Sequence, residues 1–281
     1  MVAVRLEGRL GNQLFQYAFI YAVAKKLKTG FYMDKSVDYL LIDKYFNIQD
    51  DFCHTLDKKI FSIKGYKNIF SHYLRWGFYY SLRNILRLKR ETFSNSVSPH
   101  LELGKVKNRR FYEGFFQSEE YFTDYRDDIK KLFDIKKVHQ TSFQAIFDTL
   151  PKAKKYVTVH VRRGDYIDHN LVLPPSYYHQ AISGIEHRDN YYIFISDDGD
   201  FVRKEFAYIE NKYVSENDEI TDLQFLIHAD TCILSNSSFS WWGAWLNKKS
   251  NRVVYAPELW ADKNQGVEFP LGIIQPEWRL I

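Results

Sequence analysis

The spacing of apolar residues divides the chain into an opening βαβ unit, an irregular middle and a regular second half. Val2 to Leu6 reads as a short strand, and Glu7-Gly8-Arg9-Leu10-Gly11-Asn12 follows it as a loop. After Asn12 the apolar residues recur at helical spacing: Leu14 and Phe15, Ala18 and Phe19, Ala22 and Val23, then Leu27. Asn12 is the expected N-cap, Lys25, Lys26 and Lys28 suit the last turn, and Gly30 is the expected stop. Phe31-Tyr32-Met33 reads as the next strand, which completes a strand–loop–helix–strand opening.

Beyond residue 155 the pattern predicts strands at 156–161, 191–195, 212–214, 231–234 and 252–255. Helices are predicted between them, at 176–187, 200–206, 218–229 and 237–247. Such alternation means a parallel sheet covered on both faces. The segment 136–155, with Pro151 and two lysine pairs, reads as a join, giving domains at 1–150 and 151–281. The fold class expected is α/β, two halves with the ligand in a cleft between them at the carboxyl ends of the strands. The stretch from 67 to 90 carries six Lys and Arg and no acid, interleaved with aromatic residues. It reads as a helix with a solvated basic face, or, more sharply, as an interfacial helix on anionic lipid or a lipid-linked acceptor.

Composition narrows the class without naming a function. Of the 281 residues 45% are apolar and 26% charged, so a packed core is expected rather than disorder. Net charge is +4, compatible with an anionic ligand such as a nucleotide but without the dense basic stripe of a nucleic-acid binder. Aromatic residues reach 17%, which suits carbohydrate surfaces and equally an ordinary Tyr- and Phe-filled core. Two cysteines, Cys53 and Cys232, have no metal-binding spacing, and no apolar run is long enough for a leader or a membrane helix. These features lead to the expectation of a soluble, cytoplasmic protein, with peripheral membrane contact through 67–90 as the sharper reading of that stretch.

Three segments carry candidate chemistry. In Val159-His160-Val161-Arg162-Arg163-Gly164-Asp165-Tyr166, strand alternation points His160 and Arg162 the same way, and Gly164 permits a sharp turn. A histidine, a guanidinium and a carboxylate then stand at the carboxyl end of a parallel strand, where Arg162 suits a phosphate. Arg163 faces away from Arg162 and reads either as a further donor-binding group or as a structural partner of Asp165. The second segment runs from the strand Thr231–Leu234 into Ser235-Asn236-Ser237-Ser238-Phe239 at a helix start, which offers backbone N–H groups and a positive dipole end to an anion. Ser237 and Ser238 suit capping, phosphate binding or both; Phe239 suits a base, and Trp241, Trp242 and Trp245 the core beneath. Third comes Gly8-Arg9-Leu10-Gly11-Asn12-Gln13, weak evidence for a nucleotide when taken alone.

Together with Glu113-Gly114-Phe115-Phe116-Gln117-Ser118-Glu119-Glu120-Tyr121-Phe122 and Asp222-Leu223-Gln224-Phe225-Leu226, these segments resemble glycosyltransferase family 11, the α-1,2-fucosyltransferases. The five motifs stand in family order from residue 7 to 247. Phe115 and the pair Ile227-His228 are minor departures, and the basic 67–90 stretch matches no motif of the family. The resemblance implies a GT-B-type architecture of two facing Rossmann-like domains, with GDP-fucose held mainly by the C-terminal one. It implies that Arg162 binds the donor β-phosphate and that His160 lies beside the nucleotide. It further implies that Asp222, Ser237 and Ser238 serve nucleoside and phosphate, and that Arg9, Gly11 and Asn12 face the pyrophosphate or the acceptor. Gln117 and Tyr121 fall on the acceptor side, and a galactose-terminated glycan is the implied acceptor.

The expected reaction is an inverting transfer to a sugar hydroxyl that needs no metal or other cofactor. Arg162, the Ser237/Ser238 helix start and Arg9 supply positive potential where charge develops on the β-phosphate. Asp165 is the first candidate for the general base and equally an anchor for an arginine; Glu7 is the second candidate. The competing readings are a metal-dependent transferase using Asp198-Gly199-Asp200 and a non-catalytic carbohydrate- or RNA-binding module.

Overall fold

The computed structural model describes residues 1–37, 39–48, 69–94, 96–185, 189–261 and 269–281. Cys53, the first two residues of the basic 67–90 stretch and the last two of the helix expected at 176–187 lie outside the described residues. The chain divides into two compact units, Met1–Ile135 with Pro270–Ile273, and Lys136–Phe269 with Ile274–Ile281.

The first unit contains β1 (Val2–Arg5), α1 (Leu10–Lys26), β2 (Phe31–Asp34), α2 (Ile42–Tyr45), α3 (Ile69–Ile85), β3 (Lys89–Thr92), α4 (Pro99–Lys105), β4 (Arg110–Glu113) and α5 (Arg126–Leu132). The four strands among its described residues are parallel, in the order β2-β1-β4-β3. The predicted opening unit is present, with shifted ends. Helix α1 starts at Leu10 with Arg9 as N-cap, so Asn12 sits inside the first turn rather than capping it. The helix stops at Leu27, and Lys28, with φ of 50°, takes the left-handed position for which Gly30 was expected. Helix α1 is buried nearly all round, which includes the polar Gln13 and Gln16.

The second unit contains α6 (Lys137–Phe147), β5 (Lys155–Val161), α7 (Gly164–Asp168), α8 (Pro175–Ser183), β6 (Asn190–Ser196), α9 (Gly199–Glu205), β7 (Lys212–Val214), α10 (Glu219–His228), β8 (Thr231–Ile233), α11 (Ser238–Leu246), β9 (Val253–Ala256) and β10 (Arg279–Leu280). The boundary between units falls before Lys136 rather than at residue 150. The reason is α6: Phe143 and Phe147 lie against Phe225 at centroid distances of 5.2 and 6.4 Å, and Phe147 against Tyr156 at 4.8 Å. Those ring contacts bind the helix to the second unit.

The six strands are parallel, in the order β7-β6-β5-β8-β9-β10. Counted from β5, this is 3-2-1-4-5-6, the dinucleotide-binding order, with its switch point between β5 and β8. Val157, Val159 and Val161 of the central strand are buried, as are Trp241, Trp242 and Trp245 of α11, which fill core as the sequence suggested. Strands β3 and β4 escaped sequence reading because Lys-Arg-Glu-Thr has no apolar residue and Arg-Phe-Tyr-Glu only two. The polar β3 is an edge strand, where such residues discourage further pairing. Among the described residues no helix is long and apolar enough to cross a membrane.

Two glycines give opposite expectations. A Cβ at Gly243 would lie 2.4 Å from Leu226 Cβ, in the packing of α11 on α10, whereas Gly77 in α3 has nothing within 4 Å. Gly243→Ala is expected to destabilise the protein by about 1–3 kcal/mol through overpacking. Gly77→Ala is expected to stabilise it by up to about 1 kcal/mol through helix propensity. Urea unfolding followed by circular dichroism separates the two.

Candidate functional site

The switch point is closed by one hydrogen bond. His160, next to last in β5, places Nδ1 2.7 Å from Oγ of Ser235, two residues beyond β8. Both side chains are buried, and Phe239 packs against the imidazole at a centroid distance of 5.5 Å. Burial, and then the neighbouring Arg162 charge, lower the imidazole pKa to about 3 against a small opposing effect of Asp197. His160 is therefore neutral at physiological pH.

Arg162 stands two residues further on, just past the end of β5 and between two carboxylates. Its Nη1 lies 2.6 Å from Oδ2 of Asp197, and its Nη2 donates to Oδ1 of Asp165. Asp197 follows β6 directly, and its other oxygen accepts from the Arg163 N–H at 2.9 Å. The approach is close enough that a Cβ at Gly164 would meet Asp197 Oδ2 at 2.5 Å, so a larger residue there would push the carboxylate off its place beside Arg162. Tyr166 supplies an aromatic face 5.3 Å from the Arg162 guanidinium, and its hydroxyl donates to the Asn236 carbonyl at 3.1 Å. The β5 and β8 loops are thereby tied together.

Arg163 points elsewhere. Its Nε donates to Asp198 at 2.9 Å and its guanidinium covers the Phe201 ring at 3.7 Å, so its structural partner is Asp198, not Asp165. Asp198 also caps α9 by accepting from the Phe201 N–H at 3.0 Å. That bond, followed by the Arg163 contact, holds its carboxyl below the usual range. Asp200, the other acid of the Asp198-Gly199-Asp200 triplet, is almost fully exposed and paired with Arg203. Among the described residues no three His, Cys, Asp or Glu side chains are grouped so as to hold a metal.

Helix α11 begins where the sequence placed it. Ser237 is the N-cap and accepts from the Phe239 N–H at 3.3 Å, while Ser238 and Phe239 remain half-buried. Ser240 donates to the carbonyls of Ser235 and Ser237 at 3.2 and 3.1 Å, which fixes the loop preceding the helix. Asp222 sits in the first turn of α10 and accepts from Ser215, just past β7, at 2.5 Å. Burial, reinforced by Asp218 and Glu219, pushes its pKa up to about 7 against the lowering effect of the Ser215 bond.

In the first unit, Arg9 is exposed at the start of α1, Gly11 is buried, and Asn12 Oδ1 accepts from Gln117 at 2.9 Å. Gln13 holds the loop before them, donating to the Gly8 and Tyr39 carbonyls at 3.0 and 2.5 Å and accepting from the Leu41 and Ile42 N–H groups. Glu7 forms an ion pair with Arg5 at 3.2 Å. Tyr121 is not placed to meet an acceptor. It is 3% exposed, donates to Glu102, and packs edge-on against Phe19 and Phe116.

His160, Arg162, Asp165, Ser237 and Phe239 thus gather at the carboxyl edge of the second sheet; Arg9, Gly11, Asn12 and Gln117 gather in the first unit. Sequence reasoning missed Asp197, Ser235 and Tyr166. The available signal for Asp197 was its place directly after a strand, beside acids assigned to a metal motif.

A sequence profile of glycosyl transferase family 11 matches residues 1–281. Alpha-1,2-colitosyltransferase of Escherichia coli is 28% identical over 285 residues, covering 94% of each chain. The O-antigen biosynthesis glycosyltransferase WbnK of Escherichia coli is 29% identical over 290 residues, covering 91% of this chain and 93% of that one. Among solved structures, NodZ alpha-1,6-fucosyltransferase soaked with GDP-fucose matches with a TM-score of 0.53 and 12% identity, over 89% of this chain and 96% of that one. The fold shared with it is the α/β fold of the GT-B class.

The His160 environment fixes a pH signature. Unfolded histidine takes up a proton below about pH 6.5, while folded His160 does so only near 3. Its contribution to stability is full above pH 6.5 and is lost as pH falls toward 3. Asp222 has the opposite sign, its contribution fading as pH rises through about 7. The His160 ring-proton NMR signal is expected to stay unshifted from pH 8 to 5; an inflection near 6.5 contradicts the buried neutral imidazole.

Proposed function

The chain belongs to glycosyl transferase family 11, and on that premise we propose that it transfers L-fucose from GDP-β-L-fucose to a sugar hydroxyl, the 2-hydroxyl of a galactose, with inversion. The observation that carries the donor assignment is Arg162, fixed at the switch point of a 3-2-1-4-5-6 sheet beside the start of α11. That is where a diphosphate binds in such sheets, and a helix start adds N–H groups and dipole. The GDP-fucose in the NodZ structure and the family motifs support the same donor.

Transfer breaks the bond from the fucose anomeric carbon to the β-phosphate oxygen and forms one to the acceptor oxygen, while the proton of the acceptor hydroxyl passes to the β-phosphate oxygen that the same step releases. Arg162 and the α11 N–H groups meet the charge that develops on the leaving GDP, without a metal. His160, neutral and held by Ser235, keeps the pocket beside the nucleotide uncharged. Asp222 is the acid at the nucleoside end.

Arg162 with two carboxylates carries a local net charge of minus one, which repels a diphosphate until one carboxylate is displaced. Asp165 is the displaceable one: its side chain is 54% exposed, against 25% for Asp197. Asp197 also holds the Arg163 N–H and stays. Asp197 is thus a positioning residue, and Asp165 keeps Arg162 in place until the donor arrives.

The domain roles follow: the second unit is the donor side and the first the acceptor side. Likeness to WbnK supports a glycan of the O-antigen type as acceptor, and we place that glycan on a lipid carrier at the inner face of the membrane as part of the same proposal. Likeness to the colitosyltransferase favours a second reading, with colitose as the sugar transferred.

Purified protein with GDP-fucose and lactose in EDTA is expected to yield a fucosylated product, with linkage fixed by NMR. Product from GDP-colitose alone selects the second reading, and absence of GDP binding overturns the donor site. Arg162→Ala is expected to lower kcat/KM by roughly 10²–10³. By calorimetry, Asp165→Asn is expected to tighten GDP binding and Asp197→Asn to weaken it, each by about tenfold or ~1.4 kcal/mol. Equal losses in both variants contradict the displacement of Asp165.

A further inference from the structure

Parallel strands end together, and in the first unit the last residues of β1, β2 and β4 are Arg5, Asp34 and Glu113. Arg5 is in register with Asp34 and reaches Glu113 at 3.5 Å, and Arg90 reaches the same Glu113 oxygen at 2.6 Å. Asp34 is buried and held by the N–H and hydroxyl of Ser36 at 3.0 and 2.6 Å. Helix α3 walls this edge. Trp76 and Tyr80, one turn apart, stack with centroids at 5.3 Å and a 16° tilt, and Arg83 lies over the Tyr80 ring at 5.1 Å. A cavity of about 120 Å³ opens between the wall and the strand ends.

We propose that this cavity is a hexose-binding subsite, with Trp76 and Tyr80 as stacking wall and Arg5, Asp34 and Glu113 as polar floor, taking the galactose of the acceptor. The inference deepens, and rests on, the transferase reading given above. A sugar hydroxyl both donates and accepts, so it suits a floor of guanidinium and carboxylate groups. The C–H face of a pyranose suits an exposed aromatic ring that keeps its own edge wet. At about 120 Å³ the cavity is smaller than a whole hexose, so it takes one edge of a pyranose whose face lies against the open Trp76–Tyr80 wall, and it is far below the roughly 300–1,000 Å³ of sites for drug-sized ligands such as a nucleotide.

Exposure of the wall is selective. Of the six tryptophans, Trp241, Trp242, Trp245, Trp260 and Trp278 are at most 6% exposed, whereas Trp76 is 50% exposed. A lipid surface is the weaker fit. Arg75 is buried, Arg83 lies against rings, Arg5 and Arg90 share Glu113, and two carboxylates face the same edge. Those pairings leave the cavity itself without the excess positive charge that anionic headgroups select.

Because Trp76 is the exposed tryptophan, acrylamide quenching of the full chain reads this subsite without turnover. Lactose and Galβ1-3GalNAc at millimolar concentrations are expected to shield Trp76, and Glu113→Gln to weaken that shielding about tenfold. With GDP-fucose present, Trp76→Ala is expected to raise the acceptor KM about tenfold while leaving GDP affinity and donor KM unchanged; Trp76→Phe recovers most of the loss. Unchanged quenching with both galactosides overturns the subsite, as does shielding by phosphatidylglycerol vesicles in place of galactosides. Loss of GDP binding by the wild-type chain removes the donor reading and leaves the quenching result to stand by itself.

Discussion

A guanidinium at the edge of a parallel sheet needs counter-charge, because the strands behind it are apolar and the solvent reaches it from one side only. Arg162 finds that counter-charge in Asp197, which the neighbouring strand β6 delivers at the same level as the end of β5. The pairing is a consequence of register: Val161 lies opposite Ser196, so the next residues on each strand meet. From there the loop geometry follows. Asp197 takes the Arg163 N–H, Gly164 leaves room for the carboxylate, and α7 starts in the space that remains. Such a pair is weak evidence for stability, since desolvation offsets much of the attraction. What it supplies is a donor already aimed, so that little reorganisation is needed when charge develops before it.

The same edge is kept otherwise neutral. His160 is buried beside a permanent cation and stays uncharged, and its bond to Ser235 joins the two strands that diverge at the switch point. A protonated imidazole here would be cut off from water and would face the permanent Arg162 charge. Arg163 is removed from the problem by Asp198 and Phe201. The arrangement separates one active guanidinium from one structural guanidinium, though the two are adjacent in sequence.

Much of this was legible in the residues. The alternation Val159-His160-Val161-Arg162 assigns faces by itself, and the apolar strand running into Ser-Asn-Ser-Ser marks the helix start correctly. What escaped is what sequence spacing does not encode. Asp197 matters through a strand pairing 35 residues away from Arg162, and its neighbours looked like a metal motif. Strands β3 and β4 are too short and too polar for a period to register. Asn12 has the right side chain for an N-cap, but the helix starts earlier because Leu10 is buried with the rest of α1. Tyr121 sits in a family segment that faces two ways: its Gln117 reaches Asn12, while the tyrosine one turn later completes the Phe19–Phe116 ring cluster.

The aromatic excess, ambiguous as a composition, is resolved by burial. Phe19 and Phe116 stack at 3.7 Å, and the α11 tryptophans meet one another at 4.9 to 6.0 Å, so most rings are ordinary core. A ring that only fills core has no reason to stand half in water beside charged strand ends. Trp76 and Tyr80 do, and leaving that much apolar surface wet forgoes about 25 cal/mol for each Å² not buried. The basic, acid-free stretch that looked like a lipid-binding face by charge count is, in three dimensions, a helix whose Arg75 is buried and whose Arg83 lies over the Tyr80 and Phe111 rings, beside a strand whose Arg90 is matched by Glu113. Charge counted along a segment measures its partners only when those partners lie on the same segment, and here they lie on the sheet beneath it.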